Sequence, residues 1–427
     1  MTSQPLKVII VGSGIGGLIT AIMLDRAGIE YVILEKRKTH SVIGSAIAFT
    51  AVVLRVLEQI GLYEDIHKIS KEFSRTTISM QDGKVIGVLD GEFAQERYGY
   101  YNAVEYAPYI MARPDLMNLL LSRVDQSKIL MGKKVLNVIE QPEDVEGSSK
   151  DDLSKWVSVH CSDGCQYLGN IVIGCDGAYS AVRQRMYQNL QSKGTHVPKI
   201  DFAPFRFDQH CVVGVSKPLD PEVYTILQKT FCEFDVILAK DFSYSIWLMP
   251  LNNNRISWMI NGKMFTPQAA NKKDAKNQLE ENFKFSEWGP EAAEELCDKV
   301  RLATRLFLSV SQRHKCGQGA TQAILDAVVL VDLLHSLPST STRDISEAFK
   351  KYRALRYDTA KSAVTASRQG GALFSAKGFL MDLLRAFTFK YMPRWLYLWT
   401  SDRIQASRPI LAFLPSVPDR GSVKSLA

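Results

Sequence analysis

Three glycines near the N-terminus have the spacing of a phosphate-binding turn. Gly12, Gly14 and Gly17 follow a short apolar strand and stand at the start of a helix predicted over residues 18–27. In this G-x-G-x-x-G arrangement the glycines allow a tight turn and close approach of a pyrophosphate, whose charge the helix N-terminus favours. Glu35 ends the next predicted strand, where a carboxylate can accept hydrogen bonds from a ribose diol. The unit predicts a dinucleotide site without distinguishing NAD from FAD.

Two later segments place polar residues just beyond apolar strands. Arg113 lies between a short apolar run and a helix predicted to start near Pro114. A buried arginine at that point requires an anion or several carbonyl oxygens as partners. Asp176 and Gly177 follow another apolar run and precede a helix predicted to begin near Ser180. Taken singly, a structural ion pair or a helix cap explains each of these residues as well as a ligand site does.

A third candidate element is an apolar helix with glycines at its front. Gly317 and Gly319 precede apolar residues that recur at three- and four-residue steps from Ala323 to Leu334, as on one face of a helix. Two glycines there would let a ligand approach the unpaired N–H groups of the first helical turn. The segment is therefore predicted to be a binding element.

The overall composition is that of an ordinary globular protein. Of 427 residues, 46% are hydrophobic and 23% charged, which predicts a sizeable core and two or three domains. The net charge of +7 is mild and no basic run is interleaved with aromatic residues, so we expect no nucleic-acid partner. We expect no signal peptide, because the first residues lead directly into a strand.

The seven cysteines lack the spacing of a metal site, so we expect no bound metal. Cys161 and Cys165 flank a Ser-Asp-Gly turn and could meet across a hairpin. Free thiols in a reducing compartment explain the cysteines better, and this predicts a cytoplasmic location.

In their order along the chain, these segments resemble group A FAD-dependent monooxygenases, the aromatic-hydroxylase-like flavoproteins. The resemblance rests on the N-terminal glycine turn, Glu35, and the sequences "VIGSAIAFTAVVLRVLEQIGLYEDI", "ARPDLMNLL", "GCDGAYSAVR" and "GQGATQAILDA". It is closest to the fungal secondary-metabolism branch and extends to about residue 369. It implies an α/β fold, in which a Rossmann-like FAD-binding domain carries an inserted mixed-sheet substrate domain and a C-terminal helical segment.

The resemblance implies that each domain is built from separated parts of the chain. The FAD-binding domain would comprise residues 1–69, 107–186 and 301–368. The substrate domain would comprise residues 70–106 and 187–300, and residues 369–427 would form the helical tail.

The resemblance also implies which residues meet FAD. The three glycines of the N-terminal turn would hold the pyrophosphate, and Glu35 would bind the adenosine ribose. The backbone at Ala48 would pass along the cofactor, although many relatives have glycine at that position. Arg113 would contact the cofactor.

Two further groups would lie near the redox-active end of FAD. Asp176 and Gly177 would lie near FAD and the route of NADPH. Gly317, Gly319 and Ala320 would lie against the flavin ring, where a helix N-terminus stabilises the negative charge of the reduced ring.

The family's chemistry is carried by its cofactor. NAD(P)H reduces FAD, O2 adds to the reduced ring, and the flavin hydroperoxide hydroxylates or epoxidises a small molecule. For this chain the resemblance implies an aromatic or terpenoid-type substrate, and no catalytic side chain can be named. An FAD oxidoreductase that does not insert oxygen is the alternative among enzymes.

One family feature is missing from the sequence. Relatives usually have a strand ending in Gly-Asp shortly before the Gly-Gln-Gly helix, and its aspartate accepts hydrogen bonds from the ribityl chain of FAD. Here Ser311 and Gln312 occupy that place, and residues 306–310 are the only strand-like run between Val300 and Gly317. The hypothesis is a deletion, arising from a faulty gene model or marking a truncated paralogue that binds FAD weakly or is non-catalytic.

Residues 378–402 are apolar and aromatic but are interrupted by charged residues and a proline, so they are too short to span a bilayer. The sequence favours a helix packed on the main body. The alternative is a peripheral membrane contact, because aromatic side chains with Lys and Arg at their edges suit a membrane surface.

Overall fold

The computed structural model describes most of the chain. The described residues are 5–40, 44–90, 106–141, 156–202, 209–240, 244–263, 307–309, 318–375, 379–391, 393, 395–396 and 407–418.

The described residues form strands in three sheets. They are β1 (Lys7–Val11), β2 (Glu30–Glu35), β3 (Ala46–Phe49), β4 (Lys71–Met80), β5 (Val85–Asp90), β6 (Tyr109–Ala112), β7 (Ile129–Met131), β8 (Val135–Gln141), β9 (Trp156–Cys161), β10 (Gln166–Gly169), β11 (Ile171–Gly174), β12 (Gln209–Val215), β13 (Cys232–Leu238), β14 (Tyr244–Leu251), β15 (Arg255–Lys263) and β16 (Phe307–Ser309).

The same residues form helices that cover these sheets. They are α1 (Ile15–Arg26), α2 (Ala51–Gln59), α3 (Tyr63–Ile69), α4 (Arg113–Ser122), α5 (Ala181–Ser192), α6 (Lys199–Phe202), α7 (Gln318–His335), α8 (Thr342–Ser375) and α9 (Phe379–Ala386), with short 3-10 turns at Gln126–Lys128 and Thr225–Leu227 and a π-helical turn at Phe387–Tyr391.

A parallel sheet has the strand order β11-β1-β2-β7. β1 is an apolar run buried along nearly its whole length, as expected of a central parallel strand covered on both faces. α1 connects β1 to β2 and is apolar on nearly all sides, because it is enclosed between the sheet and other helices. The βαβ unit predicted from the sequence is therefore present, with a helix that begins three residues earlier than expected.

A larger mixed sheet has the order β16-β12-β15-β14-β13-β4-β6-β3, with β5 paired to β4. Its strands pair antiparallel except β4 and β13, which run parallel. A small antiparallel sheet, β10-β9-β8, flanks the parallel sheet. Cys161 and Cys165 lie at the turn between β9 and β10 and are free thiols.

β3 and β6 belong to the mixed sheet although they come from segments assigned to the FAD-binding domain. The domain boundaries themselves stay predictions. The mixed α/β architecture, with parallel and mixed sheets and a C-terminal helical region, is the predicted fold class.

The strand-like run before Gly317 does form a strand, but it does not extend the parallel sheet. β16 pairs antiparallel with β12, with Val212 opposite Leu308. In the described part of the chain β11 is the edge of the parallel sheet. Residues 310–317, where the missing Gly-Asp motif was expected, lie outside the described residues.

Residues 407–418 lie against α2 and its neighbours as an irregular strap. The Gln59 amide donates to the Leu411 and Pro415 carbonyl oxygens at 2.9 and 3.0 Å, and its oxygen accepts from the Leu411 N–H at 2.8 Å. Leu411 is fully buried in the core around α1 and α2. Among the described helices none is long and apolar enough to cross a membrane.

Candidate functional site

The glycine turn lies at the carboxyl edge of the parallel sheet. Gly12 has φ +105°, a left-handed conformation that favours glycine, and a Cβ on it would stand 2.6 Å from the Cys175 carbonyl oxygen. A Cβ on Gly17 would overlap the carbonyl oxygen of Gly12. The two glycines therefore let β1, β11 and α1 approach one another closely.

Gly14 differs from these two glycines because it faces open space. It is the N-cap of α1, and apart from its chain neighbours no atom in the described part of the chain lies within 4 Å of where its Cβ would be. No side chain caps this end of α1, and the first turn contains no acidic residue. The first-turn N–H groups are thus available to an anion that approaches along Gly14.

Glu35 lies at the end of β2, next to this turn, and is only 9% exposed. Its Oε2 accepts from the Ser13 N–H and hydroxyl, both at 2.9 Å, and its Oε1 accepts from the Arg37 N–H at 3.0 Å. Burial by itself would raise the pKa of Glu35, but these hydrogen bonds outweigh it and hold the pKa below its usual value. A carboxylate has about four acceptor positions, so roughly one remains for a ribose hydroxyl.

Arg113 begins α4, directly after β6, as the sequence predicted. Its N–H donates to the Ser45 carbonyl oxygen at 2.8 Å, and its side chain packs so closely on Gly44 that a Cβ there would be 2.7 Å from Cδ. Burial, and secondly the guanidinium of Arg37, lower the pKa of Arg113. Arg113 is half-buried and Arg37 is exposed, and an anion beside them would offset the positive charge of both.

Ala48 lies on β3, opposite Ile110 of β6, and is exposed. β3 begins at Ala46, just after Ser45, whose carbonyl oxygen accepts from the Arg113 N–H. Ala48 therefore lies a few residues along the chain from the backbone that contacts Arg113. Its predicted backbone contact with the cofactor stays a prediction.

Asp176 and Gly177 follow β11 at the same edge of the sheet as Gly12. The Oδ2 of Asp176 accepts from the N–H groups of Ala181 and Val182 at 2.6 and 3.3 Å, so this carboxylate caps α5. Its Oδ1 is buried and has no hydrogen-bond partner among the described residues. Gly177 has φ +80° and turns the chain toward α5. The helix-cap role left open by the sequence is present, and a role toward FAD or NADPH remains a prediction.

Gly319 and Ala320 lie in the first turn of α7, whereas Gly317 is outside the described residues. α7 packs against α1, and a Cβ on Gly16 would be only 3.2 Å from the Cβ of Ala323. Ala323 is one turn beyond Ala320, so the N-terminal ends of the two helices are close together. The role of Gly16 was not predicted from the sequence, although the pair Gly16-Gly17 in the first turn of α1 was the available signal.

A buried arginine fixes the next helix to α7. Arg356 of α8 is 7% exposed; its Nε donates to the Asp326 Oδ1 and its Nη2 to the Gln322 Oε1, each at 2.7 Å. These bonds join α8 to α7, which in turn packs against α1. This ion pair could not be predicted from the sequence, because Arg356 and Asp326 are 30 residues apart.

The arrangement fits a large anionic nucleotide with a ribose diol. The glycine turn, Gly14 at the head of α1, and the Glu35 carboxylate lie together at one edge of the parallel sheet. The arginines at positions 37 and 113 supply positive charge, and the N-terminus of α7 lies beside that of α1. This is the arrangement of a Rossmann-like unit joined to a mixed sheet, and of the predicted site residues only Gly317 lies outside the described part of the chain.

Comparisons with known proteins agree with this class. The family model described as "FAD binding domain" matches residues 5–294, more than half of the chain. The FAD-dependent monooxygenase ausM of Penicillium brasilianum is 28% identical over 413 residues, which cover 90% of this chain and 83% of ausM. The FAD-dependent monooxygenase ptmM of Penicillium ochrochloron is 28% identical over 410 residues, 86% of this chain and 89% of ptmM.

Solved structures share the fold. Klebsiella pneumoniae HpxO, complexed with FAD and uric acid, superposes with a TM-score of 0.69 at 20% identity, covering 95% of this chain and 97% of HpxO. A salicylate hydroxylase substrate complex superposes with a TM-score of 0.60 at 16% identity, covering 96% of this chain and 99% of the hydroxylase. The chain belongs to the FAD-binding family, and the predicted fold class and the resemblance to fungal FAD-dependent monooxygenases are confirmed.

Proposed function

We propose that this protein is an FAD-dependent monooxygenase that uses NAD(P)H and O2 to hydroxylate or epoxidise a small aromatic or terpenoid-type molecule. The observation that carries the proposal is the nearly full-length similarity to fungal FAD-dependent monooxygenases, together with a nucleotide site whose residues suit FAD. The substrate class rests on the resemblance to the fungal branch. A cytoplasmic location belongs to the same proposal.

In this proposal the chain's own residues bind and orient the cofactor. Gly14 admits the pyrophosphate to the N–H groups of α1, while Gly12 and Gly17 keep the turn close to the sheet. The ionised Glu35 accepts a hydrogen bond from the adenosine ribose, and Arg113 offsets negative charge. FAD, when bound, supplies the redox chemistry and the activation of O2.

The other end of the cofactor would face α7. The first turn of α7, with Gly319 and Ala320, offers N–H groups to the negative charge that develops on the ring. Gly317 is proposed for the same contact. Asp176 and Gly177 would border the route of NAD(P)H, and Ala48 would pass along the cofactor. The mixed sheet would provide the wall for the substrate, consistent with a substrate domain at residues 70–106 and 187–300.

A non-catalytic or weakly FAD-binding paralogue is not favoured by the comparisons, since the family match and the relatives cover most of the chain. The decisive experiment is an absorbance spectrum of the protein after gel filtration, followed by NADPH addition under air with a panel of aromatic and terpenoid-type compounds. We expect bound flavin, NADPH oxidation accelerated by a substrate, and a product heavier by one oxygen atom.

Other outcomes separate the alternatives. Flavin reduction with oxidation of a compound but without oxygen from labelled O2 in the product would indicate a non-oxygenating FAD oxidoreductase. Purified protein without flavin that does not bind added FAD would contradict the proposal.

A further inference from the structure

The C-terminal helical region presents an apolar stripe to solvent. Phe379, Leu383 and Phe387 are 77%, 52% and 42% exposed, and they are spaced by four residues along α9 and the turn that follows it. Leu380 and Leu384, at 79% and 46% exposure, flank them on the same side. Tyr391, at the end of the π-helical turn, and Trp395, beyond Pro393, are 63% and 67% exposed, so exposed aromatic side chains follow the stripe along the chain.

The opposite side of this region is fixed to the body of the protein. Phe389 is 7% exposed and lies so close to β5 that a Cβ on Gly87 would collide with it. Arg385 is 4% exposed, and its Nε donates to the Leu373 carbonyl oxygen of α8 at 2.7 Å. The sequence favoured a helix packed on the main body, and the structure shows that only one face of the helix is packed in this way. One face is packed, and this packing turns the apolar stripe outward.

We propose that this stripe docks on the surface of a membrane that contains anionic lipids. Its composition suits a lipid interface: leucine and phenylalanine lie in the middle, and Tyr391 and Trp395 stand at one end, where amphipathic rings favour the headgroup region. Apart from the buried Arg385, residues 377–395 contain three basic residues, Lys377, Lys390 and Arg394, and one acidic residue, Asp382, and this excess of positive charge complements a negatively charged surface. The proposed contact is peripheral, because the opposite face of the same region is packed on the body of the protein.

The test is sedimentation of the purified full-length protein with vesicles. One set is phosphatidylcholine alone, and the other contains one part phosphatidylserine to three parts phosphatidylcholine. We expect binding to the mixed vesicles that weakens as salt is raised, and much weaker binding to the neutral ones.

The double variant Leu380→Asp/Leu384→Asp should bind the mixed vesicles at least about tenfold more weakly, because it removes two apolar anchors and adds two negative charges. The matched control is Val223→Asp/Leu355→Asp, which adds the same charge at side chains that are 66% and 60% exposed elsewhere. The control should retain binding. Circular dichroism and thermal unfolding should match the wild type in both variants.

Three results would overturn the proposal. The first is no binding of the wild type to either kind of vesicle, and the second is an equal loss of binding in the control. The third is a concentration-dependent dimer, disrupted by Leu380→Asp/Leu384→Asp without any vesicle binding, which would assign the stripe to a second copy of the chain. Equal binding to neutral and anionic vesicles would refute the proposed preference for anionic lipids.

Discussion

Replacing Gly14 with alanine tests the proposed position of the pyrophosphate, because it adds one methyl group to a place that the folded chain leaves open. Gly14 has φ −75° and ψ −177°, which alanine adopts without strain. Alanine is a poorer N-cap than glycine by about 0.5–1 kcal/mol, but removing a glycine from the unfolded chain stabilises the fold by about 0.4–1 kcal/mol. The two effects nearly cancel, so the free energy of unfolding without flavin should change by less than about 1 kcal/mol.

The same methyl group should weaken FAD binding. In the proposed arrangement the methyl group would fill the open space at Gly14, through which the phosphate approaches the first-turn N–H groups of α1. A hydrogen bond to a charged group contributes about 1.5–3 kcal/mol, so losing one corresponds to roughly 10- to 150-fold weaker affinity. The affinity is measured by the change in flavin fluorescence when apoprotein is titrated into FAD, and the stability by denaturant unfolding of the apoprotein.

Gly17→Ala provides the contrast within the same turn. Its Cβ would overlap the Gly12 carbonyl oxygen, so this variant should lose about 1–3 kcal/mol of stability, or more, even without flavin. If Gly14→Ala bound FAD as tightly as the wild type, the placement of the phosphate at Gly14 would be refuted. If both variants were equally unstable without flavin, the space at Gly14 would not be open.

Hydrogen bonds around Glu35 and Arg356 lead to further measurable outcomes. Glu35→Gln should weaken FAD binding roughly tenfold, measured by the same titration. The folded-state pKa of Glu35 lies below its ordinary value of 4.5, so the carboxylate stabilises the fold above that pH, and this contribution is lost as the pH falls through the lower folded value. Urea unfolding across this acidic range should therefore depend less on pH in Glu35→Gln, and an identical dependence would contradict the assignment. Arg356→Met should lower the free energy of unfolding by about 2 kcal/mol, because Asp326 and Gln322 lose their partner while Asp326 keeps partial contact with water. The exposed Arg353→Met should change it by less than about 0.5 kcal/mol, and equal losses would show that burial is not the cause.

Elements whose cues are adjacent in the sequence could be predicted closely. The N-terminal βαβ unit combines an apolar strand, a glycine turn and an apolar helix within about thirty residues, and all three are present. The positions of Arg113 after β6 and of Ser180 at the start of α5 were likewise predictable, because a strand, a turn residue and a helix follow one another directly.

Relations between distant residues could not be predicted in the same way. The apolar residues of β16 indicated a strand but not its partner, since any unpaired edge offers the same backbone groups. The contact between Gly16 and Ala323 depends on how two helices cross, and neither residue has a distinctive neighbourhood in the sequence. Similarly, an aspartate such as Asp176 can either cap a helix or bind a ligand. Only the hydrogen bonds that it accepts from the Ala181 and Val182 N–H groups show that it caps α5.

The strap of residues 407–418 has a consequence for how the protein can be made. Leu411 completes the apolar core around α1 and α2, and the Gln59 side chain holds it there across 352 positions of the chain. During synthesis the N-terminal nucleotide-binding unit emerges long before this residue, so its core stays open until the strap arrives. Fragments that stop before the strap should therefore expose apolar surface and aggregate. Any attempt to isolate the nucleotide-binding unit would have to supply the strap, either fused to it or as a separate peptide.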